Sequence, residues 1–117
     1  MLAPRRIDLA QYGTDYGWDA GDDLALYRER GIVHPAVWPA VANAVFHTDL
    51  VRGSWIHTRS IIRHHGVAPA DGVADVHAVV VRRFQRHGER AVADIRIEVD
   101  GHPVATLEHE AIVDLNP

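Results

Sequence analysis

Asp22 stands in the run Gly21-Asp22-Asp23-Leu24-Ala25-Leu26-Tyr27, so a carboxylate is followed five residues later by a phenol. A carboxylate accepts protons near neutrality, whereas a phenol, with an ordinary pKa of about 10, donates one and is a poor base. Such a pair is raw material for general acid–base catalysis. His34, in Gly31-Ile32-Val33-His34-Pro35, precedes an apolar stretch of helical character, whose positive dipole end favours a neutral ring. Pro35 has no N–H, so a backbone donor at that helix start must come from Ala36 or from another group. Asn43 and His47 lie one turn apart and share a face of the same helix, where polar groups need partners.

Further on, Trp55-Ile56-His57-Thr58-Arg59-Ser60 mixes aromatic and polar residues at the start of a strand. Strand alternation puts His57 and Arg59 on one face and Thr58, Ser60, Ile62 and His64 on the other. Arg59 and Arg63 carry the planar fork that suits phosphate, and Arg82-Arg83-Phe84-Gln85-Arg86-His87 gathers positive charge beside a turn, where an acidic protein could dock. Plainer roles stand beside each of these. Asp22 is a good N-cap for a helix over residues 24–30, Tyr27 can simply pack, and His34 can bond loop backbone. Asn43 and His47 can be satisfied structurally, and the arginines can be solvated.

The elements that position these groups fit within 117 residues, enough for one domain over residues 1–117 with a real core. A content of 47% hydrophobic and 24% charged residues is ordinary for a globular chain. With no cysteine, disulfides, thiol catalysis and thiolate metal sites are excluded. All 12 basic residues are arginine, which excludes lysine chemistry, and a net charge of −4 gives no pull toward nucleic acid. The nine histidines show no metal-ligand spacing, so no metal site is expected. No run reaches membrane-spanning length and the first residues lack an apolar leader, so a cytoplasmic protein without membrane contact is expected.

Residues 1–33 read as loop with short helices around 8–18 and 22–30. Residues 35–50 form a helix, apolar on nearly every face and therefore buried, with Pro39 tolerated in its first turn. Four strands follow, over 55–64, 73–84, 90–99 and 103–115, within a sheet region of 54–115. The third alternates, with Ala91, Ala93, Ile95, Ile97 and Val99 on one face. Asp100-Gly101 predicts a two-residue hairpin into the last strand, where His109 falls on the inward face. A central helix wrapped by a curved antiparallel sheet is an α+β hot-dog layout. A cystatin-like roll is the competing architecture, and needs more helix ahead of the sheet than residues 1–33 readily provide.

The chain resembles the MaoC-like acyl hydratases and dehydratases from about residue 16 to residue 115. The family's G-D-x-N-P-(I/L)-H loop is matched by Gly21-Asp22, with Leu24, Ala25 and Tyr27 where Asn, Pro and His belong. Its (I/V)-A-H-G signature is matched by Ile32-Val33-His34 with Pro35 for Gly, and residues 62–72 look like its V-R-F-x-x-P-V-x-P-G-D turn. The resemblance implies water addition to, or removal from, an acyl thioester of coenzyme A or a carrier protein, without an organic cofactor. It implies Asp22 as acid–base group, Tyr27 in the imidazole position and His34 beside the thioester. Ala36, Asn43, Trp55, Arg59 and Arg63 are the expected substrate contacts. It also implies a homodimer, or pairing with a second hot-dog chain. A thioesterase in which Asp22 or His57 activates water, and a non-catalytic subunit, are the alternatives.

Overall fold

The helix forms where apolar residues recur at helical spacing. In the computed structural model, which describes residues 2, 4–12, 31–51 and 53–115, it is α1, Val37–Asp49, and buries Val37, Trp38, Val41, Ala42, Val45 and Phe46. Pro39 occupies the third helical position, where a missing N–H costs no intrahelical bond. One expectation needs correction. Ala44, His47 and Thr48 are exposed, so α1 is not buried on nearly every face: the sheet wraps its apolar side and one polar side stays open.

The sheet comprises β1 (Arg5–Asp8), β2 (Ile56–His64), β3 (Val73–Gln85), β4 (Glu89–Val99) and β5 (His102–Asp114). The order is β1-β3-β4-β5-β2, with every neighbouring pair antiparallel. The last four strands lie within one residue of their expected bounds. β1 was not expected. It adds a fifth strand at the β3 edge, followed by a 3-10 turn at Leu9–Gln11, where short helix was expected. Its four residues carry too little alternation to read as a strand, and pairing with Val73–Val76 creates it. Arg5 then holds Asp49 through both carboxylate oxygens, tying β1 to the end of α1.

The β4–β5 hairpin has the expected form, with Asp100 at φ 52° and Gly101 at φ 77°. The β3–β4 hairpin turns through Arg86–Gly88, and a Cβ on Gly88 would lie 2.9 Å from the Asp114 carbonyl oxygen. The core lies between α1 and the inner sheet face, where Ala91, Ala93, Ile95, Ile97, Val99, Ala105, Leu107, Ala111 and Val113 are buried. Among the described residues no helix is long and apolar enough to cross a membrane.

Candidate functional site

A bulge in β2 organises the polar residues. His57 pairs with Ala111 and Arg59 with Glu110, leaving Thr58 as an extra residue. Simple alternation is therefore broken at this point. His57 joins Ser60 and Ile62 on the helix side of the sheet, and Thr58 turns to the outer side, where its hydroxyl donates to Glu110 Oε2 at 2.6 Å. The expected grouping of Thr58 with Ser60, and of His57 with Arg59, is corrected by that one residue.

On the inner side a hydrogen-bonded chain runs from helix to sheet edge. Asn43 Oδ1 is 2.8 Å from His109 Nε2, and His109 Nδ1 is 2.8 Å from Ser60 Oγ. An amide oxygen only accepts, so Nε2 carries the His109 proton and Nδ1 accepts from the Ser60 hydroxyl. Phe46 meets the imidazole edge-on at 4.9 Å, and the exposed His57 stacks on it at 4.3 Å with an interplanar angle of 18°. Burial, reinforced by the neighbouring His57, pushes the His109 pKa down to about 4, so the ring is neutral at physiological pH. Hydroxyl, imidazole and amide have the connectivity of a nucleophile–base–orienter relay. A base of such low pKa, with no carboxylate behind it, is too weak to activate Ser60 near neutrality. What the chain does instead is fix Asn43. Its oxygen is committed to His109, so its NH2 end is the one left to donate, and the residue is only partly buried.

The start of α1 is committed differently. Pro35 and Pro39 have no N–H. The Ala36 N–H donates to His34 Nδ1 at 3.0 Å, the Val37 N–H to the His34 carbonyl and the Trp38 N–H to the Pro35 carbonyl. Ala36 is thus already engaged, and His34 makes the loop-backbone contact that its plainer role required. The segment ahead of it is pinned to the β2–β3 loop by Val33 N–H to Ala68 O and by a bridge between Ile32 and Pro69.

The remaining expected residues divide by face. Trp55 packs against the core with its ring 6.0 Å from His47. Arg59 and Arg63 are on the outer face, away from His34, Asn43 and His57. Arg59 reaches Glu108, and Arg63 lines an outer cavity of about 560 Å³ with His77, Asp94 and Arg96. Asp22 and Tyr27 lie outside the described residues. Strand alternation alone gives His109 as inward-facing; its hydrogen bonds to Asn43 and Ser60 make it a site residue. The usable signal was a pair of polar residues on apolar faces, Asn43 and His109, each needing a buried partner.

No protein-family model matches the sequence, and no curated protein sequence does. Solved structures do match. The (R)-hydratase from A. caviae involved in PHA biosynthesis superposes with a TM-score of 0.75 at 13% identity, over 95% of this chain and 92% of that one. The unliganded R-hydratase PhaJ1 from Pseudomonas aeruginosa gives 0.74 at 16%, over 96% and 79%. A hypothetical thioesterase from Streptococcus pneumoniae, solved with coenzyme A, gives 0.60 at 16%, over 72% and 68%. At such identities the likeness establishes the hot-dog fold.

Proposed function

We propose that this chain binds an acyl thioester of coenzyme A or of a carrier protein, in the manner of the hot-dog acyl hydratases and dehydratases. The Asn43 amide takes the place of the helix-start backbone donor at the thioester carbonyl. The observation that carries this reading is the geometry of Asn43: His109 holds its oxygen, so the NH2 is pre-oriented, while the N–H groups of Ala36, Val37 and Trp38 are all engaged. A donor fixed before the ligand arrives needs little reorganisation to stabilise developing negative charge. Asp22 is the acid–base group of this proposal and Tyr27 the proton donor. His57, exposed and stacked on His109, is the group that would activate water if the reaction were hydrolysis.

A second reading has a specific observation in its favour. The engaged helix start suits a substrate-binding half that works beside a catalytic hot-dog chain. Pairing along β2 fits either case, because β2 ends the sheet order and, among the described residues, no strand pairs with its outer backbone edge. A solution mass of twice the 13.0 kDa chain is expected for the homodimer, and a monomer alone or with candidate partners speaks against it.

Crotonyl-CoA separates the possibilities. Hydration lowers the enoyl absorbance without releasing thiol, hydrolysis releases thiol, and a binding subunit does neither while still titrating with the ligand. Saturable binding that Asn43→Ala weakens by about tenfold is expected, because one charge-stabilising hydrogen bond is lost. Hydration by the isolated chain is expected below about 10 per second. Any turnover should fall about a hundredfold in Asp22→Asn, which keeps capping ability and removes the base. Absence of binding would overturn the thioester reading.

A further inference from the structure

The outer face of the sheet carries a second organised site, independent of the thioester reading. Cross-strand register sets Arg82, Val92, Glu110 and Arg59 in one row and Phe84 beside Arg90 in the next. Bulges flank the first row at both ends, at Thr58 in β2 and between Val80 and Arg82 in β3. Bulges re-aim side chains, and here the residues beside them line a cavity of about 590 Å³, formed by Thr58, Arg59, Arg82, Phe84, Arg86, Arg90 and Glu110. That volume falls within the range typical of small-molecule sites.

The floor is rigid and the rim is charged. Arg90 is held by Glu110 Oε2 at 3.1 Å and by the Arg86 carbonyl at 2.8 Å, and its side chain is only 14% exposed. Arg82 lies over the Phe84 ring at 4.8 Å. Arg59 shares Glu108, whereas neither Arg82 nor Arg86 is paired with a carboxylate among the described residues. Four guanidinium groups therefore face two carboxylates, Glu110 and Glu108, one of them inside the cavity and already shared by Thr58 and Arg90. Two positive charges remain, in a protein of net charge −4. Planar forks converging on a dianion are the arrangement that recognises phosphate.

We propose that the cavity between Arg59, Arg82, Arg86 and Arg90 binds the phosphomonoester or diphosphate group of a small molecule. Arg82 and Arg86 contact the anion directly, and Arg90, fixed by Glu110, sets the floor against which it rests. The free and nucleotide-borne forms of this chemistry are distinguished by using pyrophosphate and ADP as probes.

Calorimetric titration of the full chain at about 0.15 M salt, where long-range surface attraction is screened, should give saturable binding of pyrophosphate or ADP. Tighter binding of ADP identifies a nucleotide-borne source; equal affinity identifies the diphosphate alone. Affinity should drop about tenfold or more in Arg82→Gln/Arg86→Gln, two exposed positions whose replacement leaves the core intact, and remain within about twofold in Arg96→Gln, an outer-face arginine remote from the cavity. Amide resonances of Thr58, Arg82 and Arg90 should move with the same saturation. No saturation by about 10 mM probe would overturn the proposal. So would equal weakening by Arg96→Gln, which would mark general surface charge, or binding of an acidic peptide with none of pyrophosphate or ADP.

Discussion

His109 and Glu110 are neighbours in the chain and opposites in the fold. Strand geometry sends one toward α1 and the other to the outer face, and each is buried, at 0% and 9% exposure. The hydrogen-bond partners of the inner residue are an amide and a hydroxyl, so burial, reinforced by the stacked His57, keeps the ring uncharged. The outer residue meets the Thr58 hydroxyl and then Arg90, which together outweigh burial and hold its carboxyl below the ordinary range. Similar exposure thus gives two electrostatic outcomes, set by burial at His109 and by hydrogen-bonding partners at Glu110. The same bulge serves both sides, since the extra Thr58 reaches Glu110 while His57 is brought against His109.

The largest effect should come from removing the inner ring. His109→Leu takes the partner from Asn43 and Ser60 and removes the contacts with Phe46 and His57, so a loss of about 2–4 kcal/mol in urea unfolding near pH 7.5 is expected. A loss below about 1 kcal/mol would mean that the Asn43–His109–Ser60 chain contributes little to stability.

The pH profile separates the two residues more finely. Between the ordinary histidine value of 6.5 and about 4, the unfolded chain takes up a proton that folded His109 refuses. Stability should therefore fall as pH is lowered through that window, by about 3 kcal/mol if the whole shift is realised, and this component should level off below it. Glu110 acts lower. Its contribution is present above its ordinary 4.5 and disappears as pH falls further, through its lowered folded value. In His109→Leu the slope between about pH 6.5 and 4.5 should flatten while the steeper acid limb remains. An unchanged upper slope would assign that window to other histidines.

Much of this frame is legible in the sequence, for local reasons. The alternation of β4, the Asp100-Gly101 turn and the apolar helix are each specified by residues close together in the chain. What was not legible depends on pairing. β1 exists because Arg5–Asp8 finds the β3 edge, and the bulge exists because β2 must register against β5. His109 becomes a site residue only when Ser60 and Asn43, 49 and 66 residues away, are brought to its two nitrogens. The Gly21-Asp22 loop was legible as a resemblance, and its placement lies outside the described residues.

The smallest expected effect tests whether the two faces of the sheet are electrostatically separate. Thr58→Val preserves side-chain shape and the bulged backbone but removes the hydroxyl that donates to Glu110 Oε2. Arg90 remains on the same oxygen, so the loss should be about 1 kcal/mol, one net hydrogen bond. Because the Thr58 hydrogen bond is the largest cause of the lowered Glu110 pKa, the carboxyl should titrate higher in the variant, as followed by carbon NMR of its side chain. His109, held by Asn43 and Ser60 on the far side of the sheet, should titrate as before. A His109 pKa that moved along with Glu110 would show that Thr58 supports the position of His57 as well as the carboxylate. The bulge would then couple the inner donor chain to the outer arginine cavity, and binding at one face would be felt at the other.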